Sequence, residues 1–251
     1  IPVRLMKNAF FDEVKKLAEN TYGKVPRRSE PGIRKRAQEP VSHTARFASY
    51  VDKNVKQVVW GRNYLVPSYA SDKKENAAAL ELLAEVLGSN TGRLYQKLVA
   101  EKGIAANASA DYDGQGLDSG RFSISVTPKT EADFQAVEKE VDSVLADIFE
   151  NGLKAEELER ARSSLIASAI YAEDNQMALA RFFGGGLTTG QTFEEIRNWP
   201  QKIAMVPLDD VRAAARFWLV KNRSVTGYLT YPVEKPVSPQ SPAPAKETAP
   251  Q

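Results

Sequence analysis

The spacing of apolar residues changes period several times along the chain, and each change marks an element. Between Phe11 and Tyr22, Val14, Leu17, Ala18 and Tyr22 fall at helical spacing, with Gly23 and then Pro26 as the stop. Ser42–Val51 and Lys56–Val66 read as strands, the second through Val58-Val59-Trp60 and Tyr64-Leu65-Val66. The helical period returns over Asn76–Leu87 with Ala79, Leu80, Leu83, Ala84 and Leu87, and Ser71 or Asp72 is available as a cap. A short helix is expected over Thr91–Glu101. A hairpin pair follows, Ile104–Tyr112 and Gly120–Thr127, in which Phe122, Ile124 and Val126 alternate with Arg121, Ser123 and Ser125.

Glu131–Glu150 aligns Phe134, Val137, Val141, Leu145 and Ile148 on one helical face and stops at Asn151-Gly152. Ala155–Phe183 reads as one longer helix, opened by Glu156, Glu157 and Glu159 at its positive dipole end and closed by Gly184-Gly185-Gly186. Helices near Thr192–Ile203 and Leu208–Val220 are divided by Pro207, and Ser224–Tyr231 closes the pattern as a strand. The order is strand pair, helices, strand pair, helix bundle, strand. It predicts an α+β fold, a largely antiparallel sheet with helices packed on one face.

Composition narrows the function classes. With 42% apolar and 26% charged residues among 251, the chain resembles ordinary globular proteins, and a net charge of +2 gives no reason to expect a nucleic-acid partner. There are no cysteines, which removes thiol nucleophiles, disulfides and zinc-thiolate sites. No apolar run approaches the roughly 18 residues of a membrane span, and Ile1–Lys7 has no signal-type apolar core. Lys24–Gln38 has two prolines and six Lys or Arg, and is read as a solvated linker in preference to an anion-binding strip. From Val233 onward five prolines and no aromatic residue predict a disordered tail.

Several segments invite chemical readings. Asp111-Tyr-Asp113-Gly-Gln-Gly116-Leu-Asp118 looks like a calcium loop, but Phe122 stands where a bidentate Glu is needed, so a hairpin turn is the better account. The run Gly184–Gly190 fails the phosphate-loop pattern at Thr189 and follows a helix, so it reads as a helix terminator and flexible turn. Glu173-Asp174 are taken as a solvated mid-helix pair. His43, in a strand candidate, has an ordinary role, and one histidine without cysteine cannot assemble a nucleophilic triad.

The segment Arg93-Leu94-Tyr95, followed by Glu101-Lys102-Gly103-Ile104-Ala105, carries a family resemblance. Residues 76–231 resemble the second half of a pitrilysin/insulinase-type zinc metallopeptidase, the group of the mitochondrial processing peptidase and its bacterial relatives. In that family a helix of the form R-L-[FY]-x-x-L-R-E-x-x-G-L-A-Y supplies an Arg and a Tyr that hold the substrate backbone. Aligned on Gly103, those positions are Val99 and Ala106, and neither side chain can donate a hydrogen bond. The family binds zinc through H-x-x-E-H and a later Glu, which needs two histidines where this chain has one.

The resemblance therefore implies no catalytic or metal residue here, with zinc carried by a missing first half or a partner. Residues 1–22 resemble the closing helix of that first domain, 23–40 its basic linker, 41–232 the C-terminal domain, and 233–251 a Pro-rich tail. The implied partners are a peptide substrate and a zinc-bearing half or paired subunit in a heterodimer. Val99 and Ala106 fit the zinc-bearing member of such a pair, and bacterial relatives imply a periplasmic setting. The alternative is a scaffold or assembly subunit of the same fold with no proteolytic role.

Overall fold

The computed structural model describes residues 11–26, 28, 29, 40, 42–130 and 133–232. Five strands form one sheet. They are β1 (Arg46–Val51), β2 (Val59–Pro67), β3 (Ala105–Asp113), β4 (Ser119–Pro128) and β5 (Ser224–Thr230), in the order β1-β5-β2-β4-β3. The three strands β2, β3 and β4 alternate a buried and a more solvent-side row, while β1 is exposed along its whole length. Only β1 and β5 pair in parallel. The first two strands are thus not neighbours, since β5 lies between them. On β2, Trp60, Arg62, Tyr64 and Val66 point into the core while Asn63 and Leu65 are exposed. Phe122, Ile124 and Val126 of β4 and Ala108 and Ala110 of β3 extend the same apolar face.

Helices cover that face, as expected. Helix α2 (Ala77–Gly88) buries every residue except Glu81, Glu85 and Gly88. A Cβ at Gly88 would lie 2.2 Å from the backbone N and O of Ala110, so only glycine lets the helix end rest on β3. Neither Ser71 nor Asp72 caps it: a 3-10 turn over Lys74–Asn76 leads in, and no side chain caps its first turn. The Ser71 hydroxyl instead closes its own turn, accepting from the Ser68 N–H at 3.1 Å and donating to the Ser68 carbonyl at 2.9 Å.

Helix α3 (Arg93–Tyr95) runs directly into a wider π-helical turn, Gln96–Glu101, with Leu94 and Leu98 buried. The Lys102 N–H reaches the Lys97 carbonyl at 3.0 Å, and Gly103 at φ 64° turns the chain into β3. Helix α4 (Phe134–Asn151) buries Val137, Val141, Val144, Leu145 and Ile148, and ends at Gly152, φ 78°, whose N–H returns to the Ile148 carbonyl.

The helix expected over 155–183 is two helices, α5 (Ala155–Glu173) and α6 (Gln176–Thr189). Asn175 breaks it, its side-chain oxygen accepting from the N–H groups of Met177 and Ala178 at 3.0 and 3.2 Å. Glu173 and Asp174 accordingly sit at a helix end, not in mid-helix. The triple glycine does not terminate anything: it lies inside α6, and the stop is Gly190 at φ 106°. Its role is close approach, since a Cβ at Gly186 would meet Ile196 Cδ1 at 2.6 Å and one at Gly185 would meet Gln115 Oε1 at 2.4 Å. The remaining helices are α7 (Phe193–Arg197), α8 (Trp199–Met205) and α9 (Leu208–Trp218).

Two compact units divide the chain, Ile1–Glu39 and Pro40–Gln251. In the first, α1 (Phe11–Thr21) presents exposed Val14 and Leu17 and is followed by the turn Tyr22–Lys24. The expected linker is described only at 23–26, 28, 29 and 40, and the tail from Val233 onward lies outside the described residues.

Candidate functional site

The two positions aligned with the substrate-holding pair lie on either side of Gly103. Val99 sits in the π-helical turn, partly buried against the core. Ala106 is exposed on β3, the edge strand, at the bulge where the register with β4 shifts between Ala105 and Asn107. Nearby charged side chains pair with one another: Lys97 with Glu101 at 3.0 Å and Lys102 with Glu140 at 3.4 Å. Arg93, at the head of the segment, forks onto both Glu157 carboxylate oxygens at 2.8 and 2.7 Å, and reaches Asp147 at 2.7 Å and the Gly152 carbonyl at 3.1 Å. Burial pushes the Glu157 carboxyl up, but the Arg93 hydrogen bonds prevail and hold it below the usual range. Arg93 thus fastens this segment to α4 and α5.

A second polar centre is built around a buried arginine and reaches the surface at Lys221. Arg62 is 0% exposed and binds Thr226 Oγ1 at 3.1 Å, Glu138 at 3.0 Å and Asp142, with its guanidinium 4.9 Å from the Trp60 ring centroid. Lys221 joins the same two carboxylates at 3.0 and 2.7 Å, and Tyr228 donates to Glu138 at 2.7 Å. Two cations thus meet two anions, which clasps β2, β5 and α4 together. Leaving the buried Arg62 without its carboxylate partners would be costly, so the cluster is organised for structure.

The third centre is a cavity of about 390 Å³, walled by the loop after β2, helix α2, the β3–β4 turn and the α6–α8 segment. Glu81 on α2 accepts on Oε2 from the Tyr69 hydroxyl and from Trp199 Nε1, the latter at 2.9 Å, and Trp199 also reaches the Tyr69 oxygen at 3.0 Å. Desolvation raises the Glu81 carboxyl above the usual range despite these donors. Burial, reinforced by Glu81, pushes the Tyr69 and Tyr112 hydroxyls up. Tyr112 donates to the Pro67 carbonyl at 2.8 Å, and the Tyr69 and Tyr112 rings meet edge-on at 6.2 Å.

The other sequence candidates do not converge. His43 is exposed and precedes β1, so it lies outside the strand expected there. Asp111 and Asp113 belong to β3, and Asp113 accepts from the Gln115 N–H at 3.3 Å as part of the turn. No group of three or more His, Cys, Asp or Glu suited to a metal ion occurs among the described residues. With one histidine and no cysteine, the donor set does not fit the family's zinc site. Sequence reasoning missed Arg62 and Glu81. Both carried a signal, an Arg on the apolar parity of β2 and a Glu between Leu80 and Leu82 of an apolar helix.

Comparison with known proteins places this geometry. A family model described as the peptidase M16 inactive domain matches residues 11–165. By sequence, no curated protein matches the chain. Among solved structures, a protease from Helicobacter pylori aligns with TM-score 0.78 at 20% identity, over 88% of this chain and 53% of that one. The inactive peptidase domain of a candidate zinc protease from Bordetella parapertussis aligns with TM-score 0.62 at 21% identity, over 68% of this chain and 91% of that one. The first half of the periplasmic protease PqqL from Escherichia coli aligns with TM-score 0.71 at 15% identity, over 89% of this chain and 49% of that one. The chain spans about half the length of the Helicobacter and Escherichia chains. At these identities the likeness is one of fold.

Proposed function

The chain belongs to the peptidase M16 inactive-domain family, and from that premise we propose that it is the non-catalytic, substrate-enclosing half of a zinc peptidase. The observation that carries this reading is the state of the Leu94–Ser109 segment. Its helical turn and strand are formed, yet the two positions aligned with the family's Arg and Tyr are a core-packed Val99 and a solvent-side Ala106, neither of which can donate a side-chain hydrogen bond.

On this reading zinc and its activating Glu reside on a first half or a paired subunit, and this half contributes wall and surface around an unfolded peptide. The Escherichia coli relative is described as periplasmic. A periplasmic setting follows from that likeness, and among the described residues no helix is long and apolar enough to cross a membrane. The same proposal divides the chain into residues 1–22 as the end of the preceding domain, 23–40 as a linker, 41–232 as the family domain and 233–251 as a Pro-rich tail.

Peptide hydrolysis with added zinc tests this, using the chain alone and then mixed with an H-x-x-E-H first-half protein. Chelator-sensitive cleavage in the mixture only is the expected result. A stable complex that cleaves nothing would replace it with the scaffold reading.

A further inference from the structure

We propose that the cavity between α2, the β3–β4 turn and the α6–α8 segment is a binding site for an organic cation, a guanidinium or ammonium head on an apolar stem. This is independent of the peptide-enclosing role, because the cavity opens at the far end of β3 from Val99 and Ala106.

Four aromatic side chains, Tyr69, Tyr112, Phe182 and Trp199, line the cavity together with the carboxylates of Glu81 and Asp113, and no Lys, Arg or His is among the lining residues. That combination is the chemistry of cation recognition: ring faces attract a positive head, and a carboxylate fixes its position. Its volume of about 390 Å³ falls in the range of small-ligand sites.

The wall is built, not accidental. Both donors to Glu81 converge on Oε2, and no hydrogen bond to Oε1 occurs among the described residues, which leaves an acceptor oxygen for a ligand. Phe182 and Trp199 pack edge-on at 6.1 Å and support each other along one side of the cavity. Gly114 and Gln115 bring the hairpin turn to the mouth, where Asp113 and Gln115 are exposed. The glycines of α6 permit this closeness, since a Cβ at Gly185 would overlap the Gln115 side chain. Gly185 and Gly186, two of the three consecutive glycines that read as a helix stop in the sequence, therefore shape the pocket.

The test is a calorimetric and NMR titration of the 251-residue chain with N-acetyl-arginine amide and its lysine and norleucine counterparts. The two cationic amides bind, with resonances of Trp199 and the β3–β4 turn shifting, and the neutral norleucine amide is weaker by about tenfold or more. Glu81→Gln keeps an acceptor for Tyr69 and Trp199 but weakens the arginine amide by about tenfold, leaving norleucine unchanged. Agmatine serves as the free-amine arm: tighter binding than the blocked arginine assigns the site to small amines, and looser binding assigns it to peptide side chains.

Equal affinity for norleucine and arginine amides, no binding of either cation, or an unaltered affinity in Glu81→Gln overturns the proposal. Should Glu81→Gln fail to fold by circular dichroism, Asp113→Asn at the exposed mouth replaces it. A roughly threefold loss for arginine alone is then expected, and no loss refutes the site.

Discussion

The two ends of strand β3 have been furnished in opposite ways. At its start, the segment around Gly103 presents an apolar Val99 packed on the core and a bare Ala106 at a bulge, with the neighbouring charges consumed in local pairs. At its end, Tyr112 and the following turn meet Glu81, Tyr69 and Trp199 around a cavity where Glu81 Oε1 accepts no hydrogen bond among the described residues. The backbone is the same edge strand throughout, so strand geometry does not decide where chemistry resides. The difference comes from which side chains the helices bring to each end, and a fold can lose polar groups at one end while concentrating them at the other.

Four changes break or sharpen that contrast, the largest first. Both ends depend on α2 lying directly on β3, so Gly88→Val, which drives a side chain into the Ala110 backbone, should cost ~3 kcal/mol in urea denaturation. A loss under about 1 kcal/mol would show that the two ends are not held in one frame.

Next, the raised Glu81 carboxyl makes the cavity end sensitive to pH. The folded state holds a proton there that the unfolded chain has released, between the ordinary carboxylate value and the raised one. Stability contributed by Glu81 is therefore present at low pH and falls as pH rises through that window, by up to about 1.4 kcal/mol per pH unit. Glu81→Gln should flatten that part of the stability profile, and an unchanged slope between the two proteins would refute the assignment.

Smaller effects belong to the other end. Val99→Arg disturbs a partly buried position, though its charged head can reach water along its stem, and should cost about 1 kcal/mol. Ala106→Tyr, on the exposed edge, should stay within about 0.5 kcal/mol. Together they restore the family's Arg and Tyr at the aligned positions. Peptide affinity in an otherwise intact complex should then rise, and an unchanged affinity would count against the alignment of this segment.

Much of this was legible from residue order. The alternation in 104–127 specified the β3–β4 hairpin, and the apolar spacing in 76–87 and 134–148 specified α2 and α4 with their buried faces. The motif around Gly103 was enough to suggest the family that the match over residues 11–165 shows. Those features are local: period, turn residues and short motifs act within a few residues of chain.

What the sequence could not reveal was decided across distance. Whether Gly184–Gly186 ends a helix or lets one pass depends on Ile196 and Gln115, and the break between α5 and α6 depends on Asn175 capping a helix that packs elsewhere. Arg62 is affordable inside the sheet only because Glu138, Asp142 and Thr226 arrive from α4 and β5. The cavity likewise joins residues from positions 69 to 199, which no window of sequence spans. Local periodicity follows from backbone geometry and solvent, and so it is written residue by residue. The partners of a buried charge or of a helix surface are settled only when distant segments share one core, because only there does removal from water make each pairing matter.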